Sequence, residues 1–317
     1  MRRQTQVASA ASLLIVLPLL AAGAGAMLGG GVLHPTRKPL TVEQVASADE
    51  MLKRVAARRE GSDVRAGDGV LLRGWKAKPA MPNGDWVLLY HGVSDNRTGV
   101  ACHAEFLLRN GYSVVMMDAR AHGASEGSMA TFGWLERHDT RAIVDALFAG
   151  EAVHCLVALG ESMGAAVALQ SAEADLRIAG VVAESSFANL REVSFDFAGL
   201  RVSSFLGKTL LRPVANMAIR GAEKEGGFKA DGVSPERSVA ARAFPVLLIC
   251  GLKDRNIPAR HTRQIHKAAI GPKELWLVPG AGHTAALGAA PAEFERRVIA
   301  FYRGIHGQKQ APVNPMP

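Results

Sequence analysis

Apolar residues along this chain fall into two alternating rhythms. Short runs occur at Trp86–Tyr90, Ser113–Asp118, Cys155–Leu159, Ala179–Ala183, Pro245–Ile249 and Lys273–Val278. They are long enough for buried strands and too short for helices, and most are unbroken, as in strands covered on both faces. Between them lie segments of helical character: Arg97–Asn110, Thr131–Gly150, the small and apolar residues that follow Ser162, Pro258–Ile270 and Ala289–Gly304. This alternation predicts a mostly parallel, doubly wound α/β sheet. Ahead of it, Ser62–Lys78 reads as a β-hairpin turning at Asp68-Gly69. Val42–Arg59 reads as a helix with Val45, Met51, Leu52 and Val55 on one side, lying against the domain or a membrane surface. Ser185–Ala241 interrupts the alternation, and no internal repeat is visible.

The two ends differ from the middle. Arg2 and Arg3 precede an uncharged stretch from Gln4 to Leu33. Val7–Leu28 is long enough to span a bilayer, and Ala24-Gly25-Ala26 offers a small-residue cleavage site. Residues 1–33 are therefore expected to be a signal-anchor or a signal peptide, with the N-terminus inside and the folded domain outside the cytoplasm. Residues 34–61 are expected to form a linker and the helix, 62–306 the main domain, and 307–317 a disordered tail.

At 317 residues, one large α/β domain can bury a substantial core. The net charge of +8 comes from scattered basic residues without interleaved aromatics. That excludes nucleic acid as an expected partner and leaves a mild attraction to anionic membrane surfaces. Cys102, Cys155 and Cys250 lie in apolar contexts and read as buried free thiols rather than a disulfide framework. There is no H-x-x-x-H or C-x-x-C pair and no phosphate-loop pattern, so neither a metal nor a nucleotide cofactor is expected.

The candidate chemistry sits where the predicted strands end, the edge at which reactive groups collect in open α/β sheets. The run Cys155–Leu159 leads into Gly160-Glu161-Ser162-Met163-Gly164, a G-x-S-x-G sequence in the order strand, turn, helix. In so glycine-rich a chain the pentapeptide alone says little, and its context carries the weight. Tyr90 leads into His91-Gly92-Val93, Ile249 into Gly251-Leu252-Lys253-Asp254, and Val278 into Gly280-Ala281-Gly282-His283. A serine hydroxyl needs a histidine base, and the base needs a carboxylate to hold its tautomer. Ser162, Asp254 and His283 supply these groups, each after a different strand and in the chain order Ser…Asp…His.

These stretches, together with Asp118-Ala119-Arg120-Ala121-His122-Gly123-Ala124-Ser125, resemble the α/β-hydrolase superfamily over residues 62–306. The likeness is to its membrane-anchored serine-hydrolase and prolyl-oligopeptidase-like branches. It implies the α/β-hydrolase fold, with Ser162 as nucleophile, His283 as general base and then acid, and Asp254 as orienting carboxylate. It also implies an oxyanion hole from the Met163 and Val93 amides, and no cofactor. Ala121 stands where the family commonly has glycine, a turn position without chemistry of its own.

Rival roles are weighed alongside. Asp118 is the alternative acid, although Asp118 and His122 are expected to hold their own loop. Asp231 is a weaker one. His91 reads as structural, and His103, His138 and His154 have no evident partners. Ser185-Ser186 is expected to line a pocket or cap a helix, and Glu161 to meet a neighbouring loop or solvent. Segment 185–241, with Phe187, Phe195, Phe197, Leu200, Val202, Phe205, Leu206, Leu210 and Leu211, sits where this family carries a cap. Such a cap would admit an apolar acyl or leaving group, or would merely cover core. The expected activity is hydrolysis of a carboxylic ester of a small or lipid-like acyl substrate. Peptidase, acyltransferase and silent membrane-tethered binding protein are the alternatives.

Overall fold

The computed structural model describes residues 32–199, 205 and 209–310. The expected signal-anchor or signal peptide lies outside these residues, except for its last two positions. Among the described residues, no helix is long and apolar enough to cross a membrane.

The described residues build one eight-stranded sheet: β1 (Ala57–Arg65), β2 (Leu71–Pro79), β3 (Asp85–Tyr90), β4 (Ser113–Met117), β5 (Cys155–Glu161), β6 (Ile178–Glu184), β7 (Val246–Gly251) and β8 (Lys273–Val278). Their spatial order is β1-β2-β4-β3-β5-β6-β7-β8. Only β2 runs against its neighbours, and all pairings from β4 to β8 are parallel. The helices are α1 (Val42–Arg54), α2 (Ala101–Arg109), α3 (Glu136–Gly150), α4 (Met163–Ala174), α5 (Leu190–Gly199), α6 (Arg212–Gly226), α7 (Pro235–Ala241), α8 (Ala259–Ala268), α9 (Ala286–Ala289) and α10 (Pro291–Gln310).

The apolar strand runs are unbroken because both faces are covered. Val87, Leu89, Val114, Met116, Val157 and Leu159 pack with Phe106 and Leu107 of α2 and Phe294, Val298 and Tyr302 of α10. Their alternate neighbours Trp86, Leu88, Val115, Met117, Leu156 and Ala158 pack with Ile143 and Val144 of α3 and Ala168 and Leu169 of α4. Each fully buried aliphatic or aromatic side chain contributes about 1.5–3 kcal/mol.

Several elements differ from expectation for local reasons. The helix expected over 42–59 ends at Arg54, and Ala56 turns the chain at φ 49° into β1. The sheet therefore begins at Ala57, ahead of Ser62, and Arg59 points back to Asp49 with two hydrogen bonds of 2.6 and 3.0 Å. Met51 and Leu52 of α1 are buried in the main core, so α1 is part of the domain. The helix expected from Thr131 starts at Glu136. The Glu136 carboxylate accepts from the Thr131 amide and hydroxyl and from the Gly133 amide, which holds residues 131–135 as a turn. The final helix continues to Gln310, into the stretch expected to be disordered. Cys102 is exposed, whereas Cys155 and Cys250 are buried thiols.

The stretch ahead of α1 is docked rather than loose. Leu33 is fully buried with Phe187, Ile219 and Phe228, and its carbonyl accepts from the Ala130 amide at 2.8 Å. Arg37 donates to the carbonyls of Ser125 and Gly127.

Candidate active site

Strand register places the candidate residues along one edge. Tyr90 is level with Gly160, Glu161 with Glu184, and Gly251 with Val278. Ser162, Asp254 and His283 follow these strand ends.

The turn at Ser162 is tight because small residues permit it. A Cβ on Gly160 would lie 2.3 Å from the Gly164 carbonyl oxygen, and one on Gly164 would lie 2.3 Å from the Tyr90 carbonyl oxygen. Ser162 itself is held at φ 53°, ψ −115°. For a residue with a side chain this conformation costs about 1–3 kcal/mol. It persists because both sides are fixed: the Ser162 amide donates to the Glu184 carbonyl at 2.9 Å, and the Ala166 amide to the Ser162 carbonyl at 3.2 Å.

His283 Nε2 lies 2.9 Å from Ser162 Oγ, and His283 Nδ1 lies 2.8 Å from Asp254 Oδ2. Nδ1–H can only donate to a carboxylate, which leaves Nε2 free to accept the serine proton. Asp254 Oδ1 accepts from the Asn256 and Ile257 amides, both at 2.9 Å. Burial would raise this carboxyl, but the bonds from His283 and the Ile257 amide outweigh it and hold Asp254 below its ordinary range. The group is therefore an anion at neutral pH, suited to steady an imidazolium.

A family model described as serine aminopeptidase, S33 (Hydrolase_4) matches residues 82–225. The uncharacterized protein Rv2307c of Mycobacterium tuberculosis (strain ATCC 25618 / H37Rv) is 30% identical over 226 residues, covering 69% of this chain and 70% of that one. The uncharacterized protein YqkD of Bacillus subtilis (strain 168) is 29% identical over 220 residues, covering 68% and 70%. Among solved structures, the Pyrococcus furiosus esterase Pf2001 superposes with a TM-score of 0.68 at 23% identity, covering 86% of this chain and 98% of that one. The chain belongs to the α/β-hydrolase superfamily. A Pyrococcus horikoshii acylaminoacyl peptidase shares the fold, with a TM-score of 0.62 at 14% identity over 85% of this hydrolase and 44% of that chain.

The other candidates fall into place around the hydrolase's serine. Gly92 passes beside it, since a Cβ there would lie 3.7 Å from Ser162 Cβ. Met163 is the first residue of α4 and is buried, while Val93 is exposed. His91 donates from Nδ1 to the Gly92 carbonyl at 2.8 Å, and its Nε2 accepts from the Ala119 amide at 3.0 Å. Burial, helped by neighbouring His122, pushes it down to about 4. It is a neutral strut between two loops. Asp118 is occupied elsewhere, accepting from the Arg97 amide and guanidinium and from the Ala124 amide. Asp231 pairs with Arg191 in the insertion. Neither is bonded to His283.

Two residues carry more than the sequence reading assigned. Ser185 is fully buried. Its hydroxyl accepts from the Thr284 amide at 3.4 Å and bonds Asp254, tying the Asp254 and His283 loops together. Glu184 accepts from the Ala286 amide at 2.8 Å and so anchors the segment just past His283. Both directly follow the apolar part of β6, and their place opposite the Ser162 turn was the available signal. Glu161 is not exposed. It lies largely buried, with its Oε1 3.6 Å from His103 Nε2.

The described part of the insertion is helical. Phe187, Leu190 and Val193 are buried against Ile219, Phe228 and Ile257, and α5 is tied to α8 by Arg260 with Glu192 and Asp196. Phe197, Phe205 and Leu210 are exposed. Residues 200–204 and 206–208 lie outside the described residues, and with them Leu200, Val202 and Leu206.

Proposed function

We propose that this hydrolase cleaves a carboxylic ester through an acyl-enzyme on Ser162. The observation that carries the reading is the unbroken hydrogen-bonded line Ser162–His283–Asp254 on a strained strand-to-helix turn. Ser162 Oγ attacks the carbonyl carbon as its proton passes to His283 Nε2. The amides of Met163 and Val93 receive the oxyanion. Met163 is suited to this because the first amides of a helix have no partner within it, and one such donor is worth about 3–4 kcal/mol in the transition state. His283 then gives its proton to the leaving alcohol. A water, deprotonated by the same nitrogen, attacks the acyl carbon and releases the acid. No step calls on a cofactor.

An apolar acyl group fits the aromatic and aliphatic composition of the 185–241 insertion, read as a cap over the site. The apolar N-terminal stretch supports a domain tethered at, or exported across, a membrane. The esterase reading has a neighbour in the fold of Pf2001. The serine aminopeptidase description of the matched family supports amide cleavage as the second reading. Turnover of p-nitrophenyl esters and of amino-acid p-nitroanilides by the full-length protein separates the two. Ester turnover well above anilide turnover is expected, and anilide turnover alone would replace the ester reading with the peptidase one.

A further inference from the structure

Behind the candidate triad lies a buried cluster that the proposed reaction does not use. His103 comes from α2, Glu161 from the end of β5 and Glu184 from the end of β6. Their ligating atoms all lie within 4.8 Å of one another. Glu161 and Glu184 are register partners on adjacent parallel strands, so two carboxylates are forced side by side. Two carboxylates so placed repel unless a cation or a shared proton lies between them.

The imidazole points to what that is. His103 is 3% exposed, yet neither ring nitrogen has a hydrogen-bond partner. Its Nε2 is aimed at Glu161 Oε1, 3.6 Å away. Glu184 Oε2 is likewise buried and unpartnered, its other oxygen being held by the Ala286 amide. Buried polar groups left open in this way call for an unseen ion or water.

We propose that His103, Glu161 and Glu184 bind one divalent transition-metal ion, Zn²⁺ by their donor chemistry. One imidazole and two carboxylates suit a borderline cation and would bring the site to neutral charge. A cation central to atoms 4.8 Å apart sits about 2.8 Å from each, so a small inward rotation of the side chains reaches the bond lengths of about 2.0–2.2 Å that Zn²⁺ takes with nitrogen and oxygen. Glu161 keeps 14% of its side-chain surface open, which provides the entry path. The ion would clamp the residue before Ser162 to the strand whose Glu184 holds the segment after His283, and so act as a positioning element.

The test is calorimetric titration of Zn²⁺ into the chelator-treated full-length protein in non-ionic detergent. One ion per chain is expected, with a rise in melting temperature. Glu161→Gln, which keeps size and removes charge, and His103→Ala should each weaken binding at least about tenfold. His34→Ala, which removes the histidine of the exposed His34–Glu225 pair, should leave it unchanged. Absence of binding, or equal binding by wild type and Glu161→Gln, would overturn the site. Should those variants not fold, Co²⁺ decides on the wild type. A visible absorption band that saturates at one equivalent and is displaced by Zn²⁺ supports the site, and its absence overturns it.

Discussion

A methyl group on Gly164 would come within 2.3 Å of the Tyr90 carbonyl oxygen. The start of α4 is thus pressed directly onto the end of β3, and that closeness brings the His91–Val93 loop beside Ser162. The clashing atom is backbone and cannot rotate away. Gly164→Ala is expected to destabilise the protein by about 1–3 kcal/mol and to lower activity further than that loss explains, because it moves the loop that carries the proposed Val93 oxyanion amide. Urea unfolding and ester hydrolysis on the same preparation check both effects.

Asp254 and Asp118 make opposite predictions. Asp254→Asn keeps size but lets the amide hydrogen-bond the wrong histidine tautomer, so the kcat of the folded protein should fall by about 10³–10⁴, beyond what its loss of stability explains. Asp118 forms a buried pair with Arg97 at 2.6 Å. Removing one partner of such a pair costs about 3–5 kcal/mol. Asp118→Asn is therefore expected to lower thermal stability sharply while the folded fraction retains its kcat.

These contrasts indicate what was legible in the sequence. Ser162, Asp254 and His283 could be placed because each follows an apolar run ended by glycine or a sharp turn, a local signal. Register was not legible: nothing in either run says that Glu161 stands opposite Glu184, or that Ser185 reaches Asp254. His103 lacked an evident partner because its neighbours come from β5 and β6, far along the chain. The boundaries missed at Arg54 and Glu136 were set by single events, a left-handed Ala56 and a carboxylate capping its own turn, that periodicity does not encode.

Stability should respond to acid through Asp254. Its carboxyl is held below the ordinary range in the folded state. Such a group contributes stability that is complete above its unfolded pKa of about 4 and is lost as pH falls through the folded value. The stability gap between wild type and Asp254→Asn, read from urea midpoints, is expected to narrow as pH is lowered from about 6 to about 3. A gap constant across that window would contradict the assignment.

Ala121 sits at φ 61°, a left-handed conformation that favours glycine. Ala121→Gly relieves about 1–2 kcal/mol of left-handed strain against about 0.5–1 kcal/mol of added freedom in the unfolded chain, a net stabilisation of up to about 1 kcal/mol. A higher melting temperature with unchanged kcat is expected.

The central claim is that Ser162 is the nucleophile. Hydrolysis of p-nitrophenyl esters from acetate to palmitate, by full-length wild type and by Ser162→Ala, tests it most directly. The account predicts turnover by the wild type, with a chain-length optimum set by the 185–241 insertion if it covers the site as proposed, and its loss by at least about a thousandfold in a variant that melts like the wild type. Activity that survives Ser162→Ala would contradict it.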